Sequence, residues 1–138
     1  MKQLAYLLVF GLVFPLCSCA QKDYSLIDKV NSVLRGSVET ISVEELKEWP
    51  ASVLLDARER NEYDVSHLPN AIYVGDKQFG LDKVIGIAKT DTIVVYCTVG
   101  YRSEGIAEKL KKAGYQNVFN LFGGIFSWKN NDGSVVDL

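Results

Sequence analysis

Three observations in the sequence predict an α/β domain with a mainly parallel sheet. Runs of consecutive apolar residues recur at Ser52-Val53-Leu54-Leu55, Ala71-Ile72-Tyr73-Val74 and Thr92-Ile93-Val94-Val95. That is the pattern of strands buried on both faces. Segments with apolar residues at helical spacing separate these runs, so strands and helices alternate. The chain has 138 residues, 48% of them hydrophobic and 23% charged, which fits one globular domain and not two. A formal net charge of -2 provides no basic surface for nucleic acid.

The chain opens with a segment of different character. Met1-Lys2 is a short positive start, and Leu4 to Leu16 is an apolar run interrupted by Gly11 and Pro15. It is short for a membrane span and has the form of a signal-peptide core. Leu16-Cys17-Ser18-Cys19 then resembles a bacterial lipobox, with Cys19 as the residue that would be lipidated. The reading is a signal peptide over residues 1–18, a spacer or helix over 19–36 and a domain over 37–138. It makes the protein an exported lipoprotein on the periplasmic face of a bacterial membrane, held there through the lipid anchor only. Cleavage after Ala20, giving a soluble periplasmic protein, is the alternative, and a retained anchor helix is a third.

Cysteine arithmetic follows from that reading. Cys17 would leave with the signal and Cys19 would be a thioether, so Cys97 would be the one free thiol. A single thiol in an exported protein forms no internal disulfide. Cys97 is therefore either inert and buried or kept for its reactivity.

The elements follow in order. Leu26, Ile27, Val30, Val33 and Leu34 suggest a helix ending at Gly36. Val38-Glu39-Thr40-Ile41 alternates as a short strand. Ser42-Val43-Glu44-Glu45 has the form of a capping box and opens a helix that Trp49-Pro50 stops. After the strand ending at Leu55 comes Asp56-Ala57-Arg58-Glu59, where Asp56 and Arg58 either join a pocket or pair to fix the loop. A short polar helix carries Tyr63, His67-Leu68-Pro69-Asn70 turns, and the 71–74 strand follows. Lys77 to Ala88 has the apolar spacing of a helix weakened by Gly80 and Gly86. Thr92 to Tyr96 is the central strand. Asn117 to Leu121 is the last one, and Phe122 to Trp128 turns tightly into a final helix. There Gly123-Gly124 either brings backbone close to the neighbouring loop or forms a plain turn, and Trp128 reads as core. Asn130 to Leu138 is a tail in which Val135-Val136 could pair at an edge.

The chemistry concentrates at Tyr96-Cys97-Thr98-Val99-Gly100-Tyr101-Arg102-Ser103. A strand ends there and a helix begins, its face marked by Ile106, Ala107, Leu110 and Ala113. The N–H groups of such a loop and first helical turn have no intrahelical partners and favour an anion. A thiolate is such an anion and is the reactive form of cysteine. Gly100 permits the positive φ that an anion-binding concavity needs. Arg102 adds a permanent charge in a fork suited to oxyanions.

Cys97-Thr98-Val99-Gly100-Tyr101-Arg102-Ser103 resembles the active-site loop of the rhodanese (sulfurtransferase) family, single-domain and thiosulfate sulfurtransferase-like. Supporting segments stand in the family's order: Leu54-Leu55-Asp56-Ala57-Arg58-Glu59, Glu62-Tyr63 with His67-Leu68-Pro69-Asn70-Ala71, Gly114-Tyr115 with Val118, and Gly123-Gly124 with Trp128. The resemblance implies a rhodanese-like fold, with five mainly parallel strands and helices on both faces. It implies sulfur transfer from thiosulfate or a similar small anionic donor, through a persulfide on Cys97, to a thiol or cyanide acceptor that could be a protein thiol. It implies no metal or organic cofactor. Arg102 would bind the donor's oxyanion end, with Thr98, Val99, Gly100, Tyr101 and Ser103 as further binding residues. Asp56, Arg58 and His67 would belong to the framework. A catalytic Cys97–His67 pair is the rival use of the sole histidine.

Two other functions compete. Tyrosine phosphatases and their relatives of the same fold use Cys-x5-Arg, whereas four residues separate Cys97 from Arg102. The loop is one residue short for wrapping a phosphate. A rhodanese-like sulfur or redox relay, or binding module acting on a protein partner, is the other alternative.

Overall fold

The computed structural model describes residues 21–137. Five parallel strands form the sheet: β1 (Thr40–Ile41), β2 (Val53–Asp56), β4 (Ile72–Tyr73), β5 (Thr92–Tyr96) and β6 (Asn117–Leu121), in the order β1-β6-β5-β2-β4. The predicted α/β architecture is thus observed. β5 lies at the centre because its consecutive apolar residues serve both faces. Ile93 and Val95 pack on one side with Ile106, Ala107 and Leu110 of α4 (Tyr101–Lys112), together with Cys97 just past the strand's end. Val94 and Tyr96 pack on the other with Val43 and Leu46 of α2 (Val43–Glu48) and Ile125 of α5 (Gly124–Asn130). Period-2 alternation thus divides one apolar strand between two cores.

Local rules explain the element ends. Ser42 Oγ accepts from the Glu45 N–H at 3.2 Å, and Glu45 Oε2 accepts from the Ser42 N–H at 2.7 Å. This is the expected capping box opening α2. Helix α4 ends in Lys109, Lys111 and Lys112, which suit the negative end of its dipole.

Three sequence expectations need correction. Lys77 to Ala88 is not an α-helix: only a 3₁₀ turn, Leu81–Val84, forms there. Gly80 and Gly86 weaken helix propensity at both ends of the segment. Val84 alone in that turn is buried, and Ile85 is 80% exposed, so packing does not compensate. His67, the first residue of the expected 67–70 turn, belongs instead to a strand, β3 (Ser66–His67), which follows α3 (Arg60–Val65). It pairs antiparallel with the tail strand β7 (Val136–Asp137) in a separate two-stranded sheet. Helix α1 (Gln21–Val33) ends before Gly36.

The membrane-anchored reading is also corrected. Among the described residues no helix is long and apolar enough to cross a membrane. The longest, α1 and α4, have 13 and 12 residues, against about 20 apolar residues for a span. The signal segment with Cys17, Cys19 and Ala20 lies outside the described residues.

Candidate active site

Cys97 follows the C-terminal end of β5, at the centre of the sheet. Its side chain is 1% exposed, and its Sγ accepts a hydrogen bond from the Gly100 N–H at 3.1 Å. The chain reaches that position because Gly100 takes φ +108°, a left-handed conformation that an L side chain resists. A Cβ on Gly100 would also lie 3.2 Å from Leu34 Cδ2 and 3.5 Å from the Asn120 amide nitrogen. Gly100 caps α4, so the loop's turn and the helix start are one device.

The loop rests on two supports. From one side, the Ile125 N–H donates to the Cys97 carbonyl at 2.9 Å and the Phe126 N–H to the Thr98 carbonyl at 3.3 Å. Of the two readings of Gly123-Gly124, close backbone approach beside the loop is the one observed. From the other side, buried Asn120 donates through Nδ2 to the Gly100 carbonyl at 2.9 Å. Its Oδ1 accepts from Ser103 Oγ at 2.7 Å. The Ser103 hydroxyl therefore points into the protein and serves the loop's frame.

Arg102 does not stand as a free cation. Its Nη1 donates to Glu62 Oε2 at 2.7 Å and its Nη2 to Glu62 Oε1 at 3.0 Å, a bidentate pair. Nη2 also donates to Thr98 Oγ1 at 2.7 Å, and Thr98 Oγ1 donates to Glu62 Oε1 at 3.1 Å. The hydrogen bond from Arg102 holds the Glu62 carboxyl down to about 2, against an ordinary 4.5. Conversely the Glu62 hydrogen bond raises the Arg102 pKa, and the nearby Cys97 sulfur acts in the same direction. Val99 is half-buried, and Tyr101 is 57% exposed on the first turn of α4.

The remaining candidates are held by partners outside residues 97–103. Asp56 and Arg58 form a buried ion pair at 2.7 Å, and the Arg58 N–H also donates to Asp56 Oδ1. His67 stacks on Tyr63 at 3.9 Å between ring centres, with Nδ1 2.9 Å from the Tyr63 carbonyl oxygen. These contacts are those of framework residues. Trp128 packs against the core.

Sequence reasoning missed three residues. Glu62 is a site member, and its only sequence signal was its place in the Glu62-Tyr63 segment. Asn120 could have been found as the one amide within the apolar run Val118-Phe119-Asn120-Leu121. Glu104, 1% exposed on the first turn of α4, accepts from the N–H groups of Arg35 and Ser37, each at 2.8 Å. The predicted spacer is thereby tied to the helix that carries the loop.

The model for the Rhodanese-like domain matches residues 40–131, most of the chain. The chain belongs to the rhodanese-like domain family. Among solved structures, the rhodanese-like domain of the Anabaena protein Alr3790 superposes with a TM-score of 0.66 at 26% identity, over 72% of this chain and 79% of that one. A rhodanese-related protein of Thermoplasma volcanium gives 0.63 at 29%, over 71% and 97%. A curated relative, the adenylyltransferase and sulfurtransferase uba4 of Ogataea parapolymorpha, is 30% identical over 110 residues, covering 80% of this chain but 26% of its own length. A tRNA uridine(34) hydroxylase of Onion yellows phytoplasma is 37% identical over 82 residues, 56% of this chain and 27% of its own. The chain thus spans about a quarter of the curated relatives it matches. Membership of the rhodanese-like family supports a function of the sulfur-relay or sulfurtransferase type.

Proposed function

We propose that this protein is a sulfurtransferase that carries sulfane sulfur on Cys97. The Cys97 thiolate attacks the outer sulfur of a donor such as thiosulfate. The donor's S–S bond breaks and sulfite leaves with the bonding pair. The Cys97 persulfide then passes its outer sulfur to cyanide, giving thiocyanate, or to a thiol. The observation that carries this reading is the Gly100 N–H directed at Cys97 Sγ from a loop of four intervening residues closed by Arg102. A backbone donor there stabilises negative charge on sulfur before and after transfer. The thiol's burial restricts attack to a slender terminal sulfur. The spacing supports sulfur over phosphoryl chemistry.

A second reading, a relay that passes sulfur to a protein partner, draws on the length of the relatives. A domain matching a quarter of larger proteins suits delivery to a neighbouring site. Both readings pass through the same persulfide. Intact mass after incubation with thiosulfate tests it, for wild type and Cys97→Ser. The expected result is a gain of one sulfur atom, removed by cyanide and absent in the variant. A folded wild-type protein that gains no sulfur from any sulfane donor overturns it.

A further inference from the structure

The Glu62–Arg102–Thr98 cluster bears on which donor the site accepts, an inference that rests on the sulfurtransferase reading. Arg102 is the only cationic side chain in the loop, residues 97–103. Both its Nη groups are engaged by the Glu62 carboxylate, and Thr98 Oγ1 bonds to both partners. The ion pair is half-buried, with 25% of the Arg102 side chain and 32% of the Glu62 side chain exposed. Salt therefore screens it less than it would a fully exposed pair. A thiolate on Cys97, the Arg102 cation and the Glu62 anion leave the cluster with a net negative charge. A dianionic donor meets repulsion there, and its oxyanion end must compete with Glu62 for the guanidinium.

We propose that Glu62 is a specificity-determining residue that turns the site away from dianionic donors such as thiosulfate and toward low-charge, thiol-derived hydropersulfides, R–S–S–H. The step balances without a co-reactant. The Cys97 thiolate attacks the outer, hydrogen-bearing sulfur and the donor's S–S bond breaks. The electron pair leaves on R–S⁻, and Cys97 becomes Cys–S–S–H. The leaving thiolate carries one charge, where sulfite would carry two. Glu62 acts through Arg102 and touches no reacting atom in this scheme.

The test compares sulfur loading of Cys97 by thiosulfate and by cysteine hydropersulfide, in wild type and in Glu62→Gln. Glu62→Gln should raise the second-order rate constant for thiosulfate about tenfold, by removing one like charge near the donor. The hydropersulfide rate should change less, so that the ratio of the thiosulfate rate to the hydropersulfide rate rises. An unchanged donor ratio, or a parallel fall of both rates, overturns the proposal. A second arm needs no variant: the wild-type thiosulfate rate should rise with ionic strength, because salt screens like charges. A rate that falls with salt also overturns it. If neither donor loads the wild-type protein, the sulfurtransferase reading fails and takes this inference with it. If donors load but selectivity does not move, only the inference fails.

Discussion

Gly124 lies directly against the backbone of Cys97: a Cβ built on it would sit 2.2 Å from the Cys97 carbonyl oxygen and 2.7 Å from the Thr98 carbonyl. The obstacle is backbone, which cannot rotate away, and Gly124 also has φ +53°. Gly124→Ala should therefore displace the loop as well as strain its own turn. The left-handed backbone alone costs roughly 1–2 kcal/mol, and the collision adds to it. Sulfur loading of Cys97 should fall by more than the loss of stability explains. Urea unfolding and persulfide mass measured on the same sample check this.

Arg102→Ala would leave the Glu62 carboxylate without its cation and Thr98 without a donor. For an anionic donor the expected effect is mainly a raised KM, on the order of tenfold or more. Arg102→Lys should recover only part of it, because an ammonium cannot reproduce the bidentate geometry. Steady-state kinetics with thiosulfate and cyanide would resolve the two. A fall in kcat at constant KM would assign Arg102 to the transition state instead.

The depressed Glu62 carboxyl gives a pH prediction. Its folded pKa, about 2, lies below the ordinary 4.5. The ion pair's stabilisation is therefore fully present above pH 4.5 and is lost as pH falls from there towards about 2. Glu62→Gln should be less stable than wild type at pH 7, and the gap should close through that acid window. Denaturant unfolding at pH 7, 4.5 and 3 measures it, and a gap that is constant with pH would count against the assignment. The group's partial exposure keeps the effect small.

Asn120 supports the loop from inside the sheet, so Asn120→Ala should cost roughly 1–3 kcal/mol by leaving buried polar groups with fewer partners. Asn120→Asp should be worse, because it aims a buried carboxylate at the Gly100 carbonyl oxygen. Thermal unfolding of the two variants would rank them.

The strands and the loop were legible because each depends on local sequence. Ile93 to Tyr96 is a continuous apolar run, and Gly100 stands where the loop takes a left-handed residue. The segment 77–88 misled because the sequence shows Gly80 and Gly86 but not that packing fails to compensate for them. Glu62 and Arg102 are 40 residues apart in sequence, and Glu104 and Ser37 are 67 apart. No periodicity encodes such partners. They meet because α3, α4 and the segment before β1 converge at one end of the sheet.

That last junction has a mechanical side. The Glu104 carboxylate grips the chain at Arg35 and Ser37, and Ser37 also bonds to Glu108. Both grips lie ahead of residue 40, where the family match begins. A pull applied to the chain before Arg35 would load the first turn of α4 ahead of the sheet. Glu104 donates its own N–H to the Gly100 carbonyl, so the same force arrives one peptide away from the N–H that faces the Cys97 sulfur.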